Sequence, residues 1–170
     1  MSPSVAHSRL TSLGDVTPNN IGQLKKLNSI LFPVNYGPNF YDDVLQSGEL
    51  AKLVFYNDVC VGAVCSRKET NGNEVNIYIM TLGVLEAYRN LGLGKALLDH
   101  VLKQASEIPN TNSVYLHVQI SNESALSFYK KHGFTIVSTA KNYYEQIQPR
   151  DAYVLKKDIE PSSSTSNNNA

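Results

Sequence analysis

Apolar positions recur along this chain with two periods, and the places where one gives way to the other mark its elements. Ile21, Leu24, Leu27, Ile30 and Leu31 fall at the spacing of one helix face, and Thr17 before Pro18 predicts an N-cap with proline at the first helical position. Phe32-Pro33-Val34-Asn35-Tyr36-Gly37-Pro38 cannot extend that helix, and Phe40 to Leu45 predicts a second, short one closed by Gly48. Leu10 to Leu13 is a short strand candidate. Leu50 to Tyr56 and Val59 to Arg67 read as a hairpin around Asn57-Asp58. After the turn Asn71-Gly72-Asn73, the run Val75 to Val84 alternates: Val75, Ile77 and Ile79 face one way, Tyr78, Met80 and Leu82 the other, unless a bulge near Thr81 or Leu82 changes the parity.

The second half repeats the alternation of strand and helix. Lys95 to Ala105 predicts a helix whose stripe Leu97, Leu98, Val101, Leu102 and Ala105 covers a sheet. Val114 to Val118 predicts a strand with Tyr115, His117 and Gln119 on one face. Asn122 is placed to cap a helix with Ala125, Leu126, Phe128 and Tyr129 inside and Gly133 as its stop. Phe134 to Ser138 and Ala152 to Leu155 read as closing strands. Between them the loop from Asn142 to Pro149 carries Tyr143, Tyr144 and Ile147, a second loop with clustered aromatics. Such aromatics serve either as buried staples between elements or as walls of a substrate pocket.

Composition narrows the range of functions. The chain has 170 residues, enough for one domain with a sizeable core, expected over residues 10–158, with residues 1–9 and 161–170 as flexible tails. Formal net charge is zero, so no global field favours nucleic acid or an anionic membrane surface. No apolar run approaches the roughly 20 residues of a membrane helix, and Met1 to Leu10 lacks a signal-peptide core, so a cytoplasmic or nuclear protein is expected. Cys60 and Cys65 lie five apart in one strand-like run, which aims them at opposite faces about 16 Å apart if extended. They cannot bridge each other, and their spacing suits no metal.

The turn Arg89-Asn90-Leu91-Gly92-Leu93-Gly94-Lys95 joins a strand to a helix start, which makes an anion pocket of unpaired N–H groups. A P-loop would need glycine where Arg89 stands and a hydroxyl where Ala96 stands, and a dinucleotide fingerprint needs a small residue where Leu97 stands. Both fail. Arg89-x-x-Gly92-x-Gly94 instead resembles the coenzyme A pyrophosphate loop of the GCN5-related N-acetyltransferases, and the helix from Asn122 to Phe134 resembles the second signature of that superfamily at the expected distance. Phe32-Pro33-Val34-x-Tyr36, Tyr78 to Gly83, Tyr115 to Asn122 and Asn142-Tyr143-Tyr144 narrow the resemblance to the type E N-terminal acetyltransferases over Leu13 to Lys157.

The resemblance implies an α/β fold: a mixed sheet of six to seven strands, splayed between the fourth and fifth, with about four helices. It implies acetyl-CoA as donor, held by Leu82, Gly83, Val84, Arg89, Asn90, Leu91, Gly92, Leu93, Gly94 and Lys95 and by Asn122, Ser124, Ala125, Phe128, Tyr129 and Lys131. The acceptors implied are N-terminal peptides beginning with Met and an apolar residue, and the partner is the ribosome-bound N-terminal acetyltransferase A complex.

The chemistry can be argued beside it. An α-amine has a pKa of about 7.7 to 8.0, so most of it is ammonium and needs a mild general base. An unperturbed imidazole titrates near that range, which makes His117 the natural candidate, and Tyr78, on the strand that the family puts beside it, is its expected partner, with a bridging water if the two stand apart. A backbone N–H near Leu82 is the expected oxyanion donor. Tyr129 stands where a family tyrosine reaches the coenzyme sulfur, or simply packs in the core. Phe32, Pro33, Val34, Tyr36 and Met80 on one side and Tyr143, Tyr144 and Ile147 on the other are the expected walls for the first two residues of a peptide. Two rivals remain at this point: acetylation of internal lysines, whose amine at about 10.4 is harder to deprotonate, and a non-catalytic CoA-binding adaptor subunit.

Overall fold

A computed structural model describes residues 10–160; the two expected tails lie outside the described residues. Seven strands form one sheet in the order β1-β2-β3-β4-β5-β7-β6: β1 Thr11–Asp15, β2 Ala51–Tyr56, β3 Val59–Asn71, β4 Glu74–Val84, β5 Thr111–Gln119, β6 Thr135–Ala140 and β7 Ala152–Asp158. Among the described residues four α-helices accompany it: α1 Ile21–Leu31, α2 Pro38–Gln46, α3 Leu93–Glu107 and α4 Glu123–Lys131. One face packs α3 and α4, through Leu97, Leu98, Val101 and Leu126, on Val64, Ile77, Ile79, Val114 and Leu116. The other packs Leu24, Leu27 and Val44 of α1 and α2 on Leu53, Ala63 and Cys65. Leu97, Leu98 and Val101 have no exposure, and each such burial contributes about 1.5–3 kcal/mol, which holds α3 in place.

Every strand pair is antiparallel except β4 with β5. That parallel pairing starts at Val75 and Thr111 and ends at Tyr78 and Tyr115. Beyond it β4 continues beside β3 to Val84, and β5 beside β7 to Gln119. The sheet therefore opens into a fork between β4 and β5, the splay that the motif resemblance implied.

Local chemistry explains where the elements lie. Asn57 and Asp58 both take positive φ, 49° and 65°, the geometry of a two-residue hairpin turn that Asn and Asp tolerate. The first helix begins at Ile21, three residues after Pro18. Asn20 accepts the Thr17 N–H at 2.7 Å and donates to the Asp15 carbonyl at 2.8 Å, so Thr17 to Asn20 close a turn in place of the expected cap.

Two bulges change which way side chains point. Met80 is an extra residue between the pairs Cys65–Thr81 and Ser66–Ile79, so Met80 packs on the α1/α2 side while Leu82 joins Ile77 and Ile79 on the α3 side. The shared face expected for Tyr78, Met80 and Leu82 thus ends at Met80. Val61 is likewise extra between Phe55–Cys60 and Val54–Gly62, which brings Cys60 and Cys65 to the same side of the sheet. Both thiols are free, and burial pushes that of Cys65 up to about 11, which makes it inert.

Candidate active site

The glycine turn opens on to empty space. Gly92 caps α3 at φ +81°, a conformation that costs an L residue energy, and a side chain there would meet nothing within 4 Å. Gly94 would meet only the Phe128 ring, at 3.5 Å. The first helical bond runs from Ala96 N–H to Gly92 O, leaving the N–H groups of Leu93, Gly94 and Lys95 without intrahelical acceptors. Asn90, at φ +64°, and Leu91 complete the turn. Leu93 itself is buried, so only its backbone faces the cradle. Arg89 donates from Nε to the Val84 carbonyl at 3.1 Å, tying the start of the turn to the end of β4. Lys95 ion-pairs with Asp99 one turn on. These groups fit a pyrophosphate: bare amides, a helix N-terminus and no Cβ in the way.

At the start of α4, Asn122 accepts the Ala125 N–H at 3.2 Å and the Ser124 hydroxyl at 3.4 Å. Phe128 packs between Gly94 and Tyr129, tying α4 to the turn. Tyr129 is 6% exposed, packed on Phe128 and Phe134, and burial holds its phenol well above the usual range. Lys131 is exposed at the far end of the helix.

Tyr78 and His117 meet at the fork. Tyr78 closes the last parallel pair and His117 lies two residues further along β5, on the same face. The Tyr78 hydroxyl is 2.9 Å from His117 Nδ1 and 2.9 Å from the Tyr143 hydroxyl, so no water separates the pair. Tyr143 also stacks flat on the imidazole, its ring centre 4.1 Å away. Burial lowers the His117 pKa, with the Glu69 carboxylate opposing it more weakly, so the ring is neutral near pH 7. Burial, followed by the hydrogen bond with Tyr143, pushes the Tyr78 phenol far above its ordinary value. Tyr78 thus keeps its proton near pH 7 with its hydroxyl against a neutral imidazole, the pairing that a proton relay needs.

The two aromatic loops face each other around this pair. Tyr36 stacks on Phe40 at 4.4 Å and meets the Phe32 edge at 6.2 Å. Its phenol is pushed up to about 12 by burial and then by Tyr144 and Tyr143, which marks how near the loops come. Phe32 lies on Gly83, where a Cβ would stand 3.0 Å from the ring. Val34, Tyr144 and Ile147 are half-buried, Pro33 is exposed, and Met80 projects to the same side of the sheet. Leu82, Gly83 and Val84 lie on the stretch of β4 that has lost β5, so that edge carries backbone groups without a strand partner. Tyr115, Arg67 and Glu69 also surround Tyr78, and the sequence reading gave them no role; only the face shared by Tyr115 and His117 hinted at one. A separate cavity of about 550 Å³, lined by Asp43, Gln46, Glu49, Arg67 and Gln104 among others, includes none of the expected site residues.

Residues 22–134 match the Acetyltransferase (GNAT) family. This chain belongs to the GNAT family. Among its relatives is N-alpha-acetyltransferase 50 of Danio rerio, 56% identical over 147 residues that cover 86% of this chain and 88% of the relative. The probable N-acetyltransferase san of Drosophila melanogaster is 53% identical over 155 residues, 91% of this chain and 84% of the relative. A solved GNAT structure, Arabidopsis thaliana Naa50 in complex with the bisubstrate analogue CoA-Ac-MVNAL, superposes with a TM-score of 0.84 at 49% identity, covering 87% of this chain and 98% of that one.

Proposed function

We propose that this chain is an N-terminal protein acetyltransferase, moving acetyl from acetyl-CoA to the α-amine of proteins that begin with Met and an apolar residue. The observation that carries this is the 2.9 Å hydrogen bond between Tyr78 and His117 at the point where β4 and β5 part. The high identity to N-alpha-acetyltransferase 50 and the likeness to a homologue solved with a CoA–peptide analogue support the same reading.

The proton path follows from the site. The incoming ammonium, directly or through one water, gives a proton to the Tyr78 oxygen as Tyr78 passes its own to His117 Nδ1. Tyrosine stays neutral throughout and the imidazole carries the charge. Leu93, Gly94 and Lys95 amides seat the donor's pyrophosphate, Asn122 and Ala125 flank its pantetheine arm, and the unpaired edge near Leu82 supplies an N–H to the carbonyl oxygen as it gains charge. Tyr129 is the group for the departing thiolate: its buried phenol keeps its proton and makes no hydrogen bond among the described residues. Phe32, Val34, Tyr36, Met80, Tyr143, Tyr144 and Ile147 receive methionine and the apolar residue after it. They offer no carboxylate to a basic side chain.

An adaptor would have no use for an assembled tyrosine–imidazole pair. The type E assignment and association with the N-terminal acetyltransferase A complex at the ribosome rest on the motif resemblance, and a cytoplasmic, also nuclear, location completes the proposal. Turnover of a Met-Leu peptide with a free N-terminus, set against an N-blocked peptide bearing an internal lysine, tests the reading. Strong preference for the first is expected, and equal turnover would remove it.

A further inference from the structure

Tyr78 does not hold its place alone. In the register of the sheet Arg67 of β3, Tyr78 of β4 and Tyr115 of β5 form one row across three strands, and that row is the last before the fork opens. Glu69, two residues from Arg67 and on the same face, spans the row. One carboxylate oxygen takes the Tyr115 hydroxyl, and the other takes Arg67 Nη2 at 3.1 Å and Nε at 3.3 Å. Both groups so held lie against Tyr78. The Tyr115 ring centre is 4.8 Å from that of Tyr78, tilted by 31°, and the guanidinium carbon stands 5.3 Å from the centre of the same ring. Because β3 and β5 flank β4, the two neighbours confine the ring from its two sides.

We infer that Glu69 is a positioning residue for the Tyr78–His117 pair, acting through Tyr115 and Arg67 as a clasp across β4 at the mouth of the fork. This rests on the acetyltransferase reading of the same site. The clasp is worth little as a source of stability. The Arg67 side chain is 43% exposed and that of Glu69 35%, and ion pairs so open to water contribute about 0–1 kcal/mol. Its effect is geometric: the Tyr78 oxygen must stay within hydrogen-bond reach of His117 and of the incoming amine, and misplacement by about 1 Å can cost on the order of a hundredfold in rate.

The carboxylate also acts on the imidazole at a distance. The titratable groups in contact with His117 are Tyr78 from β4 and Tyr143 from the β6–β7 loop; Glu69 of β3 acts on it from further off, where it holds Arg67 and, from the same strand as His117, Tyr115, and β7 presents Val154 opposite it. Glu69 is the anion among these and favours imidazolium. Removing its charge therefore lowers the pH at which His117 takes up its proton.

The test is steady-state kinetics on the full chain with acetyl-CoA and a Met-Leu peptide, together with an NMR titration of the His117 ring. Glu69→Ala, Glu69→Gln and Tyr115→Phe are compared with wild type and with His117→Ala. Expected for Glu69→Ala are a kcat about tenfold lower, a peptide KM within about twofold and an almost unchanged melting temperature. Glu69→Gln, which still accepts the Tyr115 hydroxyl, recovers part of the rate, while its His117 titrates at lower pH than in wild type. Adding Tyr115→Phe to Glu69→Ala costs nothing further, because both break one path. A wild-type kcat in Glu69→Ala would overturn the clasp, and so would a rise in KM alone, which is the mark of a substrate contact. Loss of activity in His117→Ala beside a fully active Glu69→Ala would sink the clasp and leave the acetyltransferase reading standing. A fully active His117→Ala would sink the base assignment itself.

Discussion

Tyr143 lies flat on His117, 4.1 Å between ring centres and 8° from parallel, while its hydroxyl sits 2.9 Å from that of Tyr78. One loop residue therefore both shields the imidazole and completes the hydrogen-bond chain through the phenol. Tyr143→Phe keeps the shield and loses the bond. A neutral hydrogen bond is worth about 0.5–1.5 kcal/mol, so kcat should fall about two- to tenfold with little change in peptide KM, as steady-state kinetics would register.

The depressed pKa of His117 sets the pH response. The base must be neutral to work, so the acid limb of kcat against pH should lie below the ordinary imidazole value of about 6.5. Stability follows the same sign: as pH falls through about 6.5 the unfolded chain takes this proton before the folded one does, and folding weakens. Tyr143→Ala uncovers the ring, relieves its desolvation and should move the limb upward. A kcat–pH profile for each protein checks the direction.

At Gly92 the backbone and the ligand make the same demand. Gly92→Ala forces an L side chain to φ +81° at a cost of about 1–2 kcal/mol and tilts the amides that follow. Urea denaturation should record the loss, and the KM for acetyl-CoA should rise about tenfold, since hydrogen bonds to a charged group are weakened.

What could be read from the chain beforehand was whatever is local. The glycine turn, the Asn122 cap and the Asn57-Asp58 hairpin are short-range chemistry, and each stands where the sequence pointed. Tyr78 and His117 came from matched motifs; their direct 2.9 Å bond did not, because it depends on the register of two strands far apart in sequence. The bulge at Val61, which moved Cys60 to an unexpected face, was invisible for the same reason; the one at Met80, which turned Leu82 over, was allowed for near Thr81 or Leu82 but could not be placed. Thr17-Pro18 misled through a competing turn, in which Asn20 satisfies the groups that a helix cap would have used. Beyond the face that Tyr115 shares with His117, the Glu69 clasp had no signal in the sequence, since its members come from two strands that β4 separates.

Gly83 separates substrate fit from chemistry. A Cβ there would stand 3.0 Å from both Leu31 and the Phe32 ring, and the tips of those side chains can yield. Gly83→Ala should therefore push Phe32 into the peptide cleft, raising the KM for a Met-Leu peptide several-fold while the melting temperature stays close to wild type.

Acetyl transfer to a Met-Leu peptide by wild type, Tyr78→Phe and His117→Ala, at saturating acetyl-CoA and pH 7.5, bears most directly on the proton path. Losing a positioned general base costs about 10²-fold or more, so both variants should turn over at least that much more slowly while keeping the wild-type circular dichroism spectrum. Wild-type kcat in either correctly folded variant would contradict it.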